Sequence, residues 1–274
     1  MKSYFNIGNV QIGDRLTLLG GPCVAESLEV CDEIAAFLVE TCTKLDIQYI
    51  FKASYDKANR SSINSFRGLG LKKGLKVINT IKEKYNVPAV TDIHESHEAK
   101  PVAEVVDLLQ IPAFLCRQTD LLVAAGNTGK PVNIKKAQFM SAKDMATVIE
   151  KVRSTGNNKI MLTERGTSFG YNNLVVDMRG MEIFNNMQVP VVFDATHSVQ
   201  LPGGQGTTSG GEKEFILPLA KAAAAVGIDC LFAEIHPNPA KALSDGANSL
   251  NFAEAEKVLV QVKAVYDLIK SLNN

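Results

Sequence analysis

Eight times along this chain an apolar stretch of strand length closes on a polar or reactive side chain, and a helical pattern follows each time. The stretches are LTLLGGPC ending at Cys23, YIFKAS with Lys52, PAVTDI with Asp92, LLQIPA with Gln110, PVNIKKAQ with Lys136, IMLTERG with Arg165, PVVFDATH with His197 and LFAEIHP with Glu234. Strands that are apolar along most of their length are buried on both faces, so their alternation with helices predicts a parallel sheet covered by helices. Eight such units predict an α/β fold, a (β/α)8 TIM barrel in one domain over residues 1–274, whose eight polar strand ends share one face. An open doubly wound sheet fits less well. The first strand-to-helix turn lacks GxGxxG, and polar residues close every strand instead of gathering at one switch point.

Residues 1–15 read as a short N-terminal β-hairpin that caps the barrel bottom, turning at Gly8 and Asn9 between FNI and VQI. Helices are predicted over 27–45, with Ser27 as N-cap, over 95–106, 119–125 and 174–187, and over 214–226 and 251–272. Another is predicted over 63–84, with a start weakened by Gly68, Gly70 and Gly74, and another over 141–152, opened by the S-x-x-D pattern of Ser141 and Asp144.

Charge narrows the partners. The 29 basic residues balance the 29 acidic ones, so nothing draws the chain as a whole to nucleic acid or to an anionic membrane, and any anion affinity comes from local clusters. The first residues carry no long apolar core and no run reaches the ~18 apolar residues of a membrane span, so a cytoplasmic protein is expected. The five cysteines are odd in number and show no CxxC spacing, against both a disulfide framework and a zinc ribbon.

Cys23, His197, Glu234 and Asp245 form the sharpest metal constellation, drawn from the ends of strands one, seven and eight and the loop after strand eight. Barrel closure makes these neighbours, and a thiolate, an imidazole and two carboxylates suit a divalent transition ion such as Zn, Fe, Mn or Co. Taken singly, Cys23 reads more readily as a buried thiol. A competing pair, His94 and His97, lies in HESHE at a helix start, where solvated polar side chains are ordinary. The loop FKASYDKANRSS concentrates Lys52, Lys57 and Arg60 with Ser54, Asn59, Ser61 and Ser62, a mixture of point charge and planar fork suited to phosphate and carboxylate. A Schiff-base lysine at Lys135 or Lys136 is the rival chemistry, and adjacent strand residues cannot both point inward. The glycine-rich stretch 201–211 reads as a lid, without the GxxxxGK[ST] pattern of a nucleotide loop.

These residues together resemble the 3-deoxy-D-manno-octulosonate 8-phosphate synthases. KANRSS from Lys57 is the most specific element, supported by TDIHE from Thr91, QIPAFLCRQTD from Gln110, NIKKAQF from Asn133, ERGTSFGYNNLVVDMR from Glu164, FDATHSVQ from Phe193 and HPNPAKALSDG from His236. The related 3-deoxy-D-arabino-heptulosonate 7-phosphate synthases, which use erythrose 4-phosphate, typically carry K-x-R-T-S where this chain has KANRSS. The resemblance implies condensation of phosphoenolpyruvate with D-arabinose 5-phosphate and water in a cytoplasmic homotetramer serving lipopolysaccharide sugar synthesis. It implies that Lys52, Lys57, Lys136 and Arg165 hold phosphoenolpyruvate with Ser54 and Gln138, while Asn59, Arg60, Ser61 and Arg117 hold the sugar phosphate, with Arg117 serving a neighbouring subunit's site. Gln110 and His197 complete the expected substrate contacts. His197, Asp245, Asp92 and Lys136 are the expected catalytic residues, with the two aspartates as candidate proton carriers. Members with asparagine at the position of Cys23 are metal-independent; those with cysteine, histidine, glutamate and aspartate are metal-dependent, which makes Cys23, His197, Glu234 and Asp245 the expected ligands. A non-catalytic sugar-phosphate-binding barrel is the remaining alternative.

Overall fold

The computed structural model describes residues 2–60, 62–203 and 210–273. A short antiparallel hairpin, β1 (Asn6–Ile7) and β2 (Val10–Gln11), precedes eight barrel strands. In chain order these are β3 (Thr17–Gly21), β4 (Gln48–Lys52), β5 (Ala89–Asp92), β6 (Leu108–Ile111), β7 (Val132–Lys135), β8 (Ile160–Glu164), β11 (Val191–Asp194) and β14 (Cys230–Glu234). Between β8 and β11 lies the small pair β9 (Thr167–Ser168) and β10 (Leu174–Val175); between β11 and β14 lies the pair β12 (Gln200–Leu201) and β13 (Gly210–Gly211). All eight barrel strands pair in parallel, and β14 closes onto β3. The fold is the expected (β/α)8 barrel.

Its helices are α1 (Leu28–Lys44), α2 (Gly70–Tyr85), α3 (Ala99–Ala103), α4 (Thr119–Asn127), α5 (Met145–Arg153), α6 (Arg179–Asn186), α7 (Ile216–Val226) and α8 (Phe252–Asn273). Ser27 caps α1 as predicted, its Oγ accepting from the Val30 N–H at 3.2 Å. Ser141 and Asp144 exchange side-chain bonds with each other's backbone N–H at 3.3 Å, a reciprocal cap one turn ahead of α5. Helices α3 and α5 begin four residues later than expected, and the starts of α2 and α6 differ most. Helix α2 begins at Gly70, past the residues expected to open it, because Gly68 stands at φ +128°, a conformation outside any helix. Helix α6 begins at Arg179 because Leu174 and Val175 are taken by the pairing with Thr167 and Ser168.

Side chains alternate across the strands with period two, and the two faces differ. Outward residues such as Leu18, Phe51, Ile111, Ile134, Leu162 and Phe193 pack with the helices in the main core. Inward residues Leu19, Ile50, Val90, Leu108, Met161, Val192 and Phe232 form a second buried cluster with Ile7, Val10 and Ile12 of the hairpin, which thus plugs the barrel end opposite the functional face. Burying a side chain of this size contributes about 1.5–3 kcal/mol, so the plug gives the apolar half of the barrel a dry floor. The other half is polar.

Candidate active site

Two residues beyond the apolar inner row, the same inward side carries Lys52 on β4, Asp92 on β5, Gln110 on β6, Asp194 on β11 and Glu234 on β14, all buried. Strands β7 and β8 add Asn133, Lys135 and Thr163. Asn133 donates to Gln110 Oε1 at 3.2 Å and accepts from Thr163 Oγ1 at 2.7 Å, a bridge across three neighbouring strands. Above this layer opens a cavity of about 740 Å³ lined by the cations Lys52, Lys57, Arg60, Lys135 and Arg165, with Asn59, Asp92, Gln110, Gln138, His197 and Asp245.

The metal-type donors meet at one side of it. Ligand atoms of Cys23, Glu234 and Asp245 lie within 4.8 Å of one another. His197 joins them, its Nε2 standing 3.5 Å from Glu234 Oε1 and 3.8 Å from Asp245 Oδ2. Local backbone makes this approach feasible. A Cβ on Gly21 would fall 2.0 Å from the Lys52 carbonyl oxygen, so only glycine lets the GGPC turn lie against the end of β4. Asp245 sits in the left-handed region at φ +48°, which a short polar side chain tolerates, and its carbonyl takes the N–H groups of Asn248 and Ser249 at 3.1 Å each.

The charges are mutually supporting. Burial disfavours the ionised forms of Asp194, Glu234 and Asp245, yet neighbouring cations outweigh it and hold all three carboxyls below the usual range: His197 and Lys135 for Asp194, and His197 and Lys57 for the other two. His197 Nδ1 faces Asp194 Oδ2 at 2.8 Å, and Asp194 also takes the His197 backbone N–H at 2.9 Å, so the ring is oriented with Nε2 toward the other donors. Burial works against its charge too, but Asp194 and Glu234 raise its pKa. Cys23 is the exception: burial first, then Glu234, pushes its thiol up.

That imbalance tests whether the set suits a metal. The protein alone disfavours the thiolate and leaves Glu234 Oε2 buried without a partner among the described residues. A divalent cation would reverse the first and satisfy the second, and sulfur, imidazole and carboxylate are the donors a transition ion takes. The residues fit.

The expected substrate residues divide. Lys52 donates to Cys23 O at 3.1 Å and Ser54 Oγ at 3.2 Å and lies 3.3 Å from Glu234 Oε1; Lys57 is 3.8 Å from the same carboxylate oxygen. Ser54 sits behind Lys52, bonded to Asp92, which also meets His94 Nε2 at 3.1 Å. His97 is exposed, so it does not pair with His94 as a ligand. Ser61 lies outside the described residues, as does 204–209 of the expected lid. Arg117 is exposed and does not line the cavity; its carbonyl accepts from Lys151 Nζ at 2.8 Å.

Lys136, expected to hold phosphoenolpyruvate, is buried beside the cavity and is not among the residues that line it. It follows β7 on the outward side shared with Ile134, where its ammonium donates to Gly166 O at 3.0 Å and Thr167 Oγ1 at 2.9 Å and lies 3.3 Å from Glu164. The inward lysine is Lys135, which lines the cavity, donates to Asp194 Oδ2 at 2.6 Å and stands 3.8 Å from the Phe232 ring centroid. The signal was available in VNIKK: Val132 and Ile134 are the helix-facing pair, so Asn133 and Lys135 take the other side. Asp194, Gln200 and Ser244 were also missed as site residues, although all three lie inside the motifs FDATHSVQ and HPNPAKALSDG and period-two spacing from Val192 puts Asp194 on the inward side.

Comparison with known proteins agrees with this construction. The profile described as the DAHP synthetase I family matches residues 5–271. Among similar chains, the 2-dehydro-3-deoxyphosphooctonate aldolase of Fusobacterium nucleatum is 53% identical, covering 97% of this chain and 96% of its own. That of Francisella philomiragia is 55% identical over the same shares, and that of Desulfotalea psychrophila 56% identical over 92% of this chain and 90% of its own. A barrel whose polar inner layer, cation-lined cavity and donor set fall on a sequence this similar along nearly its whole length belongs to the DAHP synthetase I family, among its 2-dehydro-3-deoxyphosphooctonate aldolases, the 3-deoxy-D-manno-octulosonate 8-phosphate synthases.

Proposed function

We propose that the chain condenses phosphoenolpyruvate with D-arabinose 5-phosphate and water, giving 3-deoxy-D-manno-octulosonate 8-phosphate and inorganic phosphate. The observation that carries this reading is the convergence of Lys52, Lys57, Arg60, Lys135 and Arg165 on one cavity beside the donor set. Two phosphorylated anions have to lie side by side there, and five cations offset their repulsion while setting C3 of phosphoenolpyruvate against the sugar aldehyde. Lys52, Lys135, Arg165 and Gln138, on the strand-end side, suit phosphoenolpyruvate; Asn59 and Arg60, on the loop after β4, suit the sugar phosphate.

The bond from C3 to the aldehyde carbon leaves negative charge on the aldehyde oxygen and positive character at C2, where water adds before phosphate leaves by C–O cleavage. Fixed charges around the cavity stabilise both changes without reorganising. Cys23, His197, Glu234 and Asp245 would hold a divalent transition ion, which supplies Lewis acidity toward water or the aldehyde oxygen. Asp194 keeps the His197 ring in register, and Asp245 and Asp92, which line the cavity, are the proposed proton carriers. Exposed Arg117 suits the site of a neighbouring subunit in a homotetramer, and the enzyme is proposed to act in the cytoplasm.

Phosphate release measured with arabinose 5-phosphate and with erythrose 4-phosphate, each with and without chelator, tests the reading. Turnover is expected with the five-carbon sugar and is expected to fall on chelation. Preference for erythrose 4-phosphate assigns the seven-carbon synthase instead, and sugar binding without phosphate release assigns a binding barrel.

A further inference from the structure

Each residue of the donor set is tied to a cavity cation through at most one intervening side chain. Glu234 meets Lys52 directly at 3.3 Å. Asp194 joins His197 to Lys135, at 2.8 Å and 2.6 Å. Ser244 Oγ accepts from the Cys23 thiol at 3.0 Å and from Arg60 Nη1 at 2.7 Å. Gln200 accepts from Arg165 Nη2 at 3.0 Å through Oε1 and donates to Asp245 Oδ1 at 3.4 Å through Nε2. Asp194 and Ser244 are buried, and Gln200 is partly so.

The geometry points to Asp194, Gln200 and Ser244 as positioning residues that couple divalent-metal affinity to phosphoenolpyruvate affinity, so that each ligand tightens the other. This inference rests on the metal reading above. The physical argument is one of shared charge. Without ligands, Lys52 and Lys57 are drawn to Glu234, and Lys135 to Asp194, so the cavity cations spend their field on the protein's own carboxylates. A dication on the donor set takes over that negative charge and leaves the cations to an incoming anion, while an anion in the cavity lowers the positive potential that the dication meets. The connectors make the two effects structural as well as electrostatic. Arg60 and Arg165 reach the cavity from side chains that also hold Cys23 and Asp245, so ordering one set orders the other. Because the coupling is a difference in binding free energy, it has to be reciprocal.

Two titrations on the intact protein test it. Zn²⁺ affinity is measured by chelator competition with and without phosphoenolpyruvate, and phosphoenolpyruvate affinity by calorimetry on metal-free and Zn²⁺-loaded protein. The same factor is expected in both, within the range of about 5- to 150-fold usual for coupled sites. Ser244→Ala and Gln200→Ala, checked for native circular dichroism, are each expected to shrink that factor while both ligands still bind singly. A factor of one in the unaltered protein, or an undiminished factor in both variants, overturns the coupling. Failure of the unaltered protein to bind Zn²⁺ at all overturns the donor-set reading and the coupling with it, whereas metal binding without coupling overturns the coupling alone.

Discussion

Lys135 and Lys136 are neighbours in sequence with opposite fates, and replacing each by methionine separates them. Methionine keeps most of the apolar stem and removes the ammonium. At Lys135 the lost group lines the cavity and holds Asp194 at 2.6 Å. A hydrogen bond to a charged partner contributes about 1.5–3 kcal/mol, and about 1.4 kcal/mol is tenfold in rate, so losing one such contact to phosphoenolpyruvate lowers kcat/KM about 10- to 150-fold. At Lys136 the lost group is buried on the outer side against Glu164, Gly166 and Thr167. Removing one partner of a buried pair costs about 3–5 kcal/mol. Glu164 keeps the backbone N–H groups of Arg165 and Gly166 at 2.9 and 2.7 Å, so the lower end applies. At about 2–4 °C per kcal/mol for a large domain, about 3 kcal/mol lowers Tm by roughly 6–12 °C. Lys135→Met also melts earlier, since among the described residues Asp194 then keeps only His197 and Thr196 as side-chain partners. The discriminating measurement is therefore phosphate release per folded molecule at 25 °C, alongside thermal unfolding followed by circular dichroism. If Lys136→Met loses tenfold or more in kcat/KM while Lys135→Met matches the unaltered enzyme, the inward and outward assignment is wrong.

Cys23→Ala is expected to lose bound metal and activity together, read by elemental analysis and phosphate release; a chelator-stripped protein with full activity would contradict the proposed metal dependence. Cys23→Asn is expected to bind metal more weakly and to keep some metal-free turnover, and a folded but inactive variant would mean that further residues separate the two catalytic branches. His94→Gln probes pH. Burial opposes the charge of His94, but Asp92 outweighs it and raises the pKa above 6.5, so the charged pair adds stability that is complete below pH 6.5 and fades as pH rises through the raised folded value. The Tm gap between unaltered protein and variant should narrow from pH 6 to pH 9; a gap that widens refutes the charged pair.

The division of the strand sequences into buried stretches and polar ends was legible without coordinates, because burial on two faces demands continuous apolar residues and the polar ends interrupt them. Eight repeats of that pattern specified the barrel and its functional face. The helix starts at α2 and α6 were less legible: a left-handed glycine in one case and a competing local hairpin in the other overrode helical spacing. The donor set was legible in part because its members sit on strand ends that barrel closure brings together.

Phase and connection were decided by tertiary structure. Two consecutive lysines at a strand end do not by themselves say which one enters the barrel; the register of β7, which sets Asn133 beside Gln110 of β6 and Lys135 beside Thr163 of β8, turns Lys135 inward and leaves Lys136, just past the strand, against Glu164, Gly166 and Thr167. Asp194, Gln200 and Ser244 lie inside the motifs FDATHSVQ and HPNPAKALSDG, but their residue types assign them no partner. They acquire a role because residues up to 221 positions apart, Cys23 and Ser244, come within 3.0 Å when the last strand closes on the first. The sequence alone determined which chemistry is present on this face, since residue type carries chemistry; only closure of the barrel decided which groups touch, since contact depends on three-dimensional proximity that separation along the chain does not encode.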